Sequence, residues 1–521
     1  MTRAGRIGRN LKSAMRTHEI LDLVSSTFPD RPLLTDGDGT VTAQQLSGDA
    51  RRLASLAIEH QVDNLVFVGQ NSRALQIGLF AASIAGVPFV PLNYRLTDDR
   101  LQATVQRTLP GLAIVDRSMV GRLGDTDGLV VVETEGLAER LATLAPLDPV
   151  GSATDDGGDG TAVLLFTSGT TGDPKAAMLA HDNLTSYVLN TVEFAGAGED
   201  EAALVAVPPY HIAGVSSVLS AAFAGRRSVY LRAFEPAEWV QTVHEAGVTQ
   251  AMVVPTMMDR ILRHLDTVDH GLPALRSLAY GGGPMPRPVI ERALQTLPHV
   301  AFVNAYGLTE TASTISILGP DDHREALVSN DPAVARRLAS VGQPLPTVEL
   351  SIRDQDGRAL GPGERGEVWV RGDQVSGEYV GIAGATDGWF RTRDSAELDE
   401  HGYLYLHGRL DDVIVRGGEN LSPGEIEAVL VEHRSVRACA VVGLPHNEWG
   451  ECVAAAVVRA DDAVGINEEV LTQQLQTHVR SQLRSTQTPE TVTYVTELPS
   501  NETGKILRRV LREQLQTQRQ S

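Results

Sequence analysis

A run of hydroxyl-bearing residues and glycines follows an apolar stretch in "LLFTSGTTGDPKAAM", residues 164–178. Its polar members are Thr167, Ser168, Gly169, Thr170, Thr171, Gly172 and, three residues further on, Lys175. Glycines let backbone N–H groups close around phosphate oxygens, and the hydroxyl groups and the lysine add donors and charge. The stretch departs from the G-x-x-x-x-G-K-[ST] loop of the common ATPases. It therefore predicts a phosphate-binding loop of another kind, and the alternative is a polar surface turn.

Lysine is scarce in this chain, which makes each lysine informative. Of the 45 basic residues only Lys12, Lys175 and Lys505 are lysines, and the others are arginines. A compact ammonium group fits a tight phosphate or carboxylate site that the wide guanidinium fork would not enter. Lys175 and Lys505 both follow glycine-containing loops, whereas Lys12 lies in a basic N-terminal tail. The pattern favours functional roles for Lys175 and Lys505, and the alternative for Lys505 is a solvated lysine at a helix start.

The charge balance argues against some classes of protein. With a formal net charge of −21 the chain lacks the basic excess that a nucleic-acid-binding protein needs to displace counterions. An anionic substrate must therefore be held by local positive charges. The chain has 521 residues, of which 42% are hydrophobic. This size and composition predict a globular protein of about two to four domains.

Cysteine usage and the apolar runs indicate where the protein works. Cys439 and Cys452 lie in strand-like runs, and we expect them to be buried free thiols of a cytoplasmic protein. The basic segment 1–16 lacks a continuous apolar core, which disfavours an export signal. Residues 75–94 are uncharged, but glycine and proline interrupt them. We expect a buried helix, a turn and a strand there, and no membrane span.

Alternating patterns indicate the organisation of the chain. Strand-like and helix-like segments alternate from about residue 17 to residue 400, which predicts layered α/β structure with largely parallel sheets. From residue 364 a period of two predicts hairpins. Ser422, Pro423 and Glu425 form a helix start inside a small α+β unit of about 110 residues. We place the domain boundary between residues 409 and 410, so that residues 1–409 form one domain and residues 410–521 the other.

Six separated stretches occur in a fixed order: "FTSGTTGDPK" (166–175), "PPYHIAG" (208–214), "YGGGPMP" (280–286), "NAYGLTET" (304–311), "GWFRTRD…GYLYLHGRLDDVIVRGGENLSPGEIE" (388–427) and "LPSNETGKILRR" (498–509). In this order they resemble the acyl-adenylate-forming (AMP-binding) superfamily, in its acyl- and aryl-CoA synthetase branch, over nearly the whole chain. The resemblance implies a large N-terminal domain of layered α/β subdomains with a small β-barrel-like part. A small, mobile α+β C-terminal domain would follow.

The resemblance also implies a reaction in two halves. A carboxylate attacks the α-phosphate of ATP and gives acyl-AMP and pyrophosphate, with Mg²⁺ as the metal ion. A thiol, usually that of coenzyme A (CoA), then attacks the acyl carbon and releases AMP. A bare carboxylate is a poor electrophile, and AMP turns one of its oxygens into a leaving group.

Most of the adenylate site is assigned by the resemblance. The loop that contains Lys175 would hold the β- and γ-phosphates, and Tyr306 would stack on adenine. Thr309 would contact the α-phosphate, and Glu310 would hold Mg²⁺, which prefers oxygen ligands. Asp394 would bind the ribose hydroxyls. Further nucleotide contacts are expected at Gly282, Gly283, Pro284, Asn304, Ala305, Gly307, Tyr405 and Arg409.

The sequence departs from the family next to the ribose-binding carboxylate. The family usually has Thr-Gly-Asp, whereas this chain has Thr392-Arg393-Asp394. If the backbone takes a positive φ at position 393, an arginine is strained there. We keep Asp394 in its role.

Two poses of the C-terminal domain follow from the resemblance, with Asp411 as the hinge. In the first pose Lys505 would bridge the substrate carboxylate and the AMP oxygens as a catalytic residue. In the second pose Gly417 and Gly418 would line the thiol tunnel, where side chains would block pantetheine. Trp449 matches a position that contacts CoA in some relatives.

The acid and the acceptor are less closely defined. His211 stands where amino-acid-activating relatives carry an aspartate, which favours an aliphatic, alicyclic or aryl acid without an ammonium group. We interpret His211 as a wall or gate of the acyl pocket, and the alternative is a packed core histidine. Small residues would leave room for a bulky acid: Gly214, Gly281, Gly282, Gly283, which replaces a more usual alanine, and Ala305.

The acceptor also has an alternative. "STQTP" (485–489) replaces the usual aromatic-Lys-x-Pro, a departure that puts a common contact to the CoA nucleotide in doubt. A carrier-protein thiol therefore stays an alternative acceptor, and a homodimer is left open. A luciferase-like oxidoreductase is a further, less favoured alternative.

Overall fold

The computed structural model describes residues 15–147, 160–167, 175–268, 271–380, 388–500 and 506–520. The first part of the chain alternates strands and helices as the sequence predicts. Its strands are β1 (Pro32–Asp36), β2 (Gly39–Thr42), β3 (Asn64–Val68), β4 (Phe89–Pro91), β5 (Gly111–Val115), β6 (Leu129–Glu133), β7 (Thr161–Thr167) and β8 (Lys175–Ala180). Its helices are α1 (Thr17–Thr27), α2 (Ala43–Glu59), α3 (Arg73–Ala85), α4 (Asp98–Gln106), α5 (Leu137–Ala142) and α6 (His181–Thr191).

The middle of the chain continues this alternation. The strands are β9 (Ala202–Val205), β10 (Arg227–Tyr230), β11 (Gln250–Val253), β12 (Ser277–Gly281), β13 (Ala301–Leu308), β14 (Ser313–Leu318) and β15 (Gln343–Pro344). The helices are α7 (Ile212–Phe223), α8 (Pro236–Glu245), α9 (Pro255–Leu265), α10 (Arg287–Thr296), α11 (Pro320–Val328) and α12 (Pro332–Ala335).

Strands of these two parts form two large sheets. One has the order β15-β14-β13-β12-β11-β9-β10-β1-β2, and β9 to β13 run parallel within it. The other has the order β8-β7-β4-β3-β5-β6, extended at the β8 edge by a short strand from later in the chain. Parallel strands need helical crossovers, and helices α2, α3 and α7 share one apolar core with strands of both sheets. The predicted layered α/β arrangement is confirmed.

The apolar stretch 75–94 shows how the sequence builds these layers. It forms most of α3, which is buried almost all round, then Gly86 with φ of +75°, then the buried strand β4. A Cβ at Gly78 would lie 2.9 Å from Ile114 Cδ1, so glycine lets this helix lie close to the sheet. No helix in the described ranges is long and apolar enough to cross a bilayer.

Antiparallel strands follow, as the period of two predicts. They are β16 (Glu349–Arg353), β17 (Gly366–Arg371), β18 (Glu378–Tyr379), β19 (Phe390–Leu398) and β20 (Leu404–Arg409). Four of them form a sheet of order β16-β17-β19-β20, whereas β18 pairs with β8 at the edge of the second large sheet. The small barrel-like part that the resemblance implies stays a prediction, since these strands are described as a four-stranded sheet. The β18–β8 pairing brings Tyr379 beside the strand that begins at Lys175.

The end of the chain forms a small α+β domain. Its elements are β21 (Ile414–Arg416), β22 (Glu419–Leu421), α13 (Pro423–Glu432), β23 (Val436–His446), β24 (Gly450–Arg459), α14 (Glu468–Gln482), β25 (Thr491–Val495) and α15 (Arg508–Gln520). Helix α13 begins as predicted, with the Ser422 hydroxyl accepting a hydrogen bond from the Glu425 N–H group. Both cysteines are buried and unbridged in β23 and β24, as predicted for the thiols themselves. The boundary at residues 409/410 stays a prediction, and a short 3-10 turn, Leu410–Asp412, follows it.

Candidate active site

Three of the predicted nucleotide-binding residues lie together where two sheets meet. Tyr306, near the end of β13, donates a hydrogen bond from its hydroxyl to Asp394 Oδ2 at 2.6 Å. The register of β19 and β20 places Asp394 opposite Arg409, whose Nη1 lies 3.2 Å from Asp394 Oδ1. Burial and the neighbouring Asp394 raise the pKa of the Tyr306 phenol well above its ordinary value. Tyr306 therefore stays protonated and acts as the donor to this carboxylate.

Glu310 lies in the 3-10 turn Thr309–Thr311 that follows β13. It is only 8% exposed, and its backbone carbonyl accepts hydrogen bonds from the N–H groups of Ser376 and Gly377. Gly307 is required just before it, because a Cβ at that position would overlap the carbonyl oxygen of Ser313. The "YGLTE" motif is thus a tight reversal that fixes the backbone of Glu310.

Tyr379 joins Glu310 to Lys175. Its hydroxyl donates a hydrogen bond to Glu310 Oε1, and Lys175 Nζ lies 5.8 Å from the centre of its ring. Burial and Glu310 raise the pKa of Tyr379 above the ordinary value of a phenol, so it too remains a donor. Sequence reasoning missed Tyr379, because a single tyrosine in "SGEYV" has no spacing or neighbour that marks it. Only the β18–β8 pairing brings it here.

The two ends of the predicted phosphate loop are adjacent. Thr167 pairs with Lys175 across β7 and β8, and its hydroxyl donates to the Lys175 carbonyl oxygen at 3.3 Å. Ser168, Gly169, Thr170, Thr171 and Gly172 lie outside the described residues, and so does Lys505. Their roles stay predictions.

His211 is the N-cap residue of α7, and its ring lies beside an aromatic pair. Its ring centre lies 4.8 Å from that of Tyr210, which packs edge-on against Tyr94 at 5.8 Å. Among the predicted small residues, Gly283 is the one that leaves open space, because a Cβ there would meet nothing within 4 Å. A Cβ at Gly281 would lie 2.2 Å from the Ala305 carbonyl oxygen. Gly281 therefore serves close strand packing and adds no room to a pocket.

Other predicted contacts lie elsewhere or at the surface. The Asn304 amide donates to the Ser340 carbonyl oxygen at 3.0 Å. Tyr405 is buried, its hydroxyl donates to Asp399 Oδ2 at 3.3 Å, and Arg336 stacks on its ring. These contacts are structural, and nucleotide binding by either residue stays a prediction. Gly282 and Pro284 are exposed in the loop after β12.

Gly417 and Gly418 form a loop of the C-terminal domain, here called the glycine loop, which packs against the exposed Trp449. The Gly417 N–H group donates to the Trp449 carbonyl oxygen at 2.8 Å, and a Cβ at Gly417 would lie 3.0 Å from Trp449 Cε3. Gly417 and Gly418 have φ of +57° and +84°, a region that favours glycine. Trp449 is 44% exposed. The structure thus brings together the three residues that are predicted to contact the thiol substrate.

The structure thus combines a large α/β domain, which carries the polar side chains around Asp394 and Glu310, with a small C-terminal α+β domain. The model of the AMP-binding enzyme family matches residues 21–380, and that of the AMP-binding enzyme C-terminal domain matches residues 425–505. The chain therefore belongs to the AMP-binding enzyme family.

Similar proteins agree with this assignment. A feruloyl-CoA synthase from Amycolatopsis sp is 33% identical over 92% of this chain and 95% of its own length. A fatty acid–[acyl-carrier-protein] ligase from Streptomyces coeruleorubidus is 31% identical over 93% of each chain. The o-succinylbenzoate CoA synthetase of Bacillus subtilis, solved with its acyl-adenylate intermediate, has a TM-score of 0.79 at 26% identity and covers 95% of this chain and 98% of its own. The same enzyme has been solved with ATP and magnesium ion.

The predicted fold class and enzyme class are confirmed by these matches. The chain is an acid–thiol ligase of the acyl-CoA synthetase type that forms an acyl-AMP intermediate. The predicted use of ATP, Mg²⁺ and CoA is confirmed with them.

Proposed function

We propose that this chain activates an aliphatic, alicyclic or aryl carboxylic acid that lacks an α-ammonium group, and transfers the acyl group to CoA. The observation that carries the proposal is a pair of polar groups: Arg409, Asp394 and Tyr306 form one, and Glu310, Tyr379 and Lys175 form the other. These two groups are joined by one short segment, "YGLTE", that runs from Tyr306 to Glu310. A nucleotide that spans them would have its adenosine and its phosphates held by one chain segment.

The roles of the residues follow the chemistry of the nucleotide. Asp394 accepts from the ribose hydroxyls, the ring of Tyr306 stacks on adenine, and Arg409 offers positive charge to the ribose or phosphate oxygens. Thr309 donates to the α-phosphate. The loop that ends at Lys175 holds the β- and γ-phosphates, which leave together as pyrophosphate. Arg409 and Lys175 thus provide local positive charge for the anionic nucleotide, which the net charge of −21 would otherwise repel.

Glu310 fits the requirements of Mg²⁺. The metal prefers oxygen ligands and is usually held by one or two carboxylates together with substrate phosphates. Glu310 is largely buried, is held by its backbone, and has its Oε1 fixed by Tyr379. Mg²⁺ bound there would neutralise phosphate charge, and Tyr379 would keep the carboxylate oriented.

Replacing Tyr379 by phenylalanine should raise the Mg²⁺ concentration that half-saturates acyl-AMP formation by roughly tenfold, because a hydrogen bond to a charged group is lost. The measurement is ATP–pyrophosphate exchange over a range of free Mg²⁺, with calorimetric binding of MgATP as a readout independent of turnover. Tyr403 also donates to a carboxylate, Asp322, away from the site. Tyr403→Phe is therefore the matched control, and an equal shift in both variants would remove Tyr379 from this role.

The test of the proposed acid is a substrate panel. ATP–pyrophosphate exchange and thioester formation with CoA are measured for cinnamic, benzoic, alicyclic and medium- and long-chain fatty acids, and for α-amino acids. We expect activity with one or more of the first four groups and none with α-amino acids, since the segment at His211 supplies no carboxylate for an ammonium group. Open space at Gly283 supports a bulky acid. Activity confined to acetate, or found with α-amino acids, would refute the proposal.

A carrier-protein thiol is the second candidate acceptor. It is supported by the relative that acts on an acyl-carrier protein and by the missing lysine in "STQTP", where Gln487 and Thr488 are buried. Thioester formation with CoA and with a phosphopantetheinylated carrier protein, compared at equal thiol concentration, separates the two. A cytoplasmic location and a homodimer also belong to the proposal, and sedimentation analysis tests the latter.

A further inference from the structure

Arg393, the residue that departs from the family motif, has a left-handed backbone. Its φ is +64°, a value that costs a non-glycine residue conformational energy. The local structure holds it there, because the Arg393 N–H group donates to Glu367 Oε1 at 3.2 Å. Glu367 is buried and is paired with Arg391. Arg393 thus has the left-handed backbone conformation that favours the glycine usually found at this position.

The side chain at this position reaches the hinge. Arg393 Nη2 lies 2.7 Å from Asp411 Oδ1, and both side chains are partly exposed. Asp411 lies in the turn Leu410–Asp412, directly after the end of β20. A glycine at position 393 could not make this contact. The strained arginine therefore supplies an ion pair between the four-stranded sheet and the turn that links the two domains.

The next residue of the turn is held from the opposite side. Asp412 Oδ2 lies 3.3 Å from Arg508 Nε, and Arg508 belongs to the C-terminal domain. Arg508 is itself paired with Glu427 on α13 and donates to the Val441 carbonyl oxygen at 2.6 Å. Adjacent aspartates of the turn are thus paired with arginines of different domains. A rotation of one domain against the other about this turn would strain or break one of these pairs.

The exposure of the glycine loop indicates which pose the ion pair accompanies. Gly417, Gly418, Glu419 and Asn420 are exposed, and so is Trp449. A loop that lines a tunnel to the reacting carbonyl would be covered by the large domain. The pose that contains the Arg393–Asp411 ion pair is therefore not the pose in which the thiol attacks the acyl carbon.

We propose that Arg393 is a positioning residue that holds the hinge aspartate, Asp411, in the pose used before thiol attack, so that it favours acyl-AMP formation over thioester formation. This inference rests on the two-pose mechanism of the proposed function. It adds a contact between the hinge and the large domain that a glycine could not make.

Two variants separate the ion pair from the backbone. Arg393→Gly removes the pair and relieves the strained φ, whereas Arg393→Ala removes the pair and keeps the strain. Because an exposed ion pair is weak, we expect both to lower the rate of acyl-AMP formation relative to thioester formation from supplied acyl-AMP by roughly two- to fivefold. The KM for ATP should not change, since Asp394 keeps its contacts with Tyr306 and Arg409. Arg276→Ala, which breaks an exposed pair with Asp200 of 2.9 Å, is the matched control.

Salt gives a readout that a merely structural role would not move. Screening should shift the same ratio in the wild type as ionic strength rises, and this shift should be absent from Arg393→Gly. An unchanged ratio in both variants would overturn the proposal. So would a change in Arg393→Gly alone, because Arg393→Ala also lacks the ion pair and only the relief of backbone strain beside Asp394 would then be the cause.

A measurement that needs no turnover distinguishes this inference from the proposed function. Both native cysteines are buried, so spin labels can be attached at Asp356→Cys in the large domain and Asp462→Cys in the small one, which are exposed positions. The distance distribution between the labels should broaden in Arg393→Gly and not in Arg276→Ala. An unaltered distribution refutes the hinge contact even if the enzyme is active, and a broadened one supports it even if the acid panel fails.

Discussion

Replacing Lys505 by alanine is expected to slow acyl-AMP formation by roughly a hundred- to a thousandfold, because a donor aimed at charge that develops in the transition state is lost. The acid and the nucleotide are both anionic, and their approach crowds negative charge at the reacting oxygen. Thioester formation from supplied acyl-AMP should be largely kept, since the lysine serves only the first pose. ATP–pyrophosphate exchange measures the first half-reaction, and rapid mixing of acyl-AMP with CoA measures the second.

The scarcity of lysine provides the control for this prediction. Lys12→Ala removes one of the other two lysines, from the basic tail, and should leave both half-reactions unchanged. Lys505→Arg should restore only part of the lost rate, because the guanidinium fork is wider than an ammonium group. Equal losses in the two half-reactions of Lys505→Ala would contradict the two-pose mechanism.

Replacing Gly417 by valine is expected to have the opposite effect. A Cβ at this position would lie 3.0 Å from Trp449 Cε3, and the φ of +57° is unfavourable for a β-branched residue. Overpacking of this kind costs about 1–3 kcal/mol, so thioester formation should fall roughly ten- to a hundredfold. Acyl-AMP formation should stay within about twofold of the wild type, because the glycine loop is exposed in the described pose.

A substitution at a second glycine serves as the control for backbone strain alone. Gly402 has φ of +80°, and a Cβ there would meet nothing within 4 Å. Gly402→Val therefore reproduces the strain without closing the thiol path, and it should alter thermal stability while leaving the ratio of the half-reactions unchanged. If Gly417→Val slows acyl-AMP formation as much as thioester formation, the loop does not act in the thiol step alone.

The sequence was sufficient for features that depend on neighbouring residues. The start of α13 at Ser422 follows from three adjacent residues, and the break between α3 and β4 follows from Gly86 and Pro88. The motif Thr392-Arg393-Asp394 also indicates backbone strain at Arg393 if its φ is positive, and the φ is indeed +64°. The cluster of Tyr306, Glu310, Asp394 and Arg409 was predicted through the family motifs. The roles of these residues remain proposals, although the contacts of Asp394 with Tyr306 and Arg409 are a structural fact.

The remaining features depend on contacts between distant segments. The β1–β2 pair joins the largest sheet by pairing Leu34 with Ser228, and no local pattern indicates that partner. Tyr379 reaches Glu310 only because β18 adds to the edge of β8. The ion pair of Arg393 with Asp411 could not be predicted either, because neither residue type is unusual at a protein surface. The prediction that Gly281 leaves room in the acyl pocket is wrong, because the neighbouring strand occupies that space.

The most direct test of the central claim follows an oxygen atom. The best acid of the panel is labelled with ¹⁸O in its carboxylate and incubated with the enzyme, ATP, Mg²⁺ and CoA, and the products are analysed by mass spectrometry. If the carboxylate attacks the α-phosphate, each AMP carries one ¹⁸O, each thioester keeps one, and pyrophosphate carries none. Label in pyrophosphate, unlabelled AMP, or release of ADP and phosphate would contradict activation through acyl-AMP.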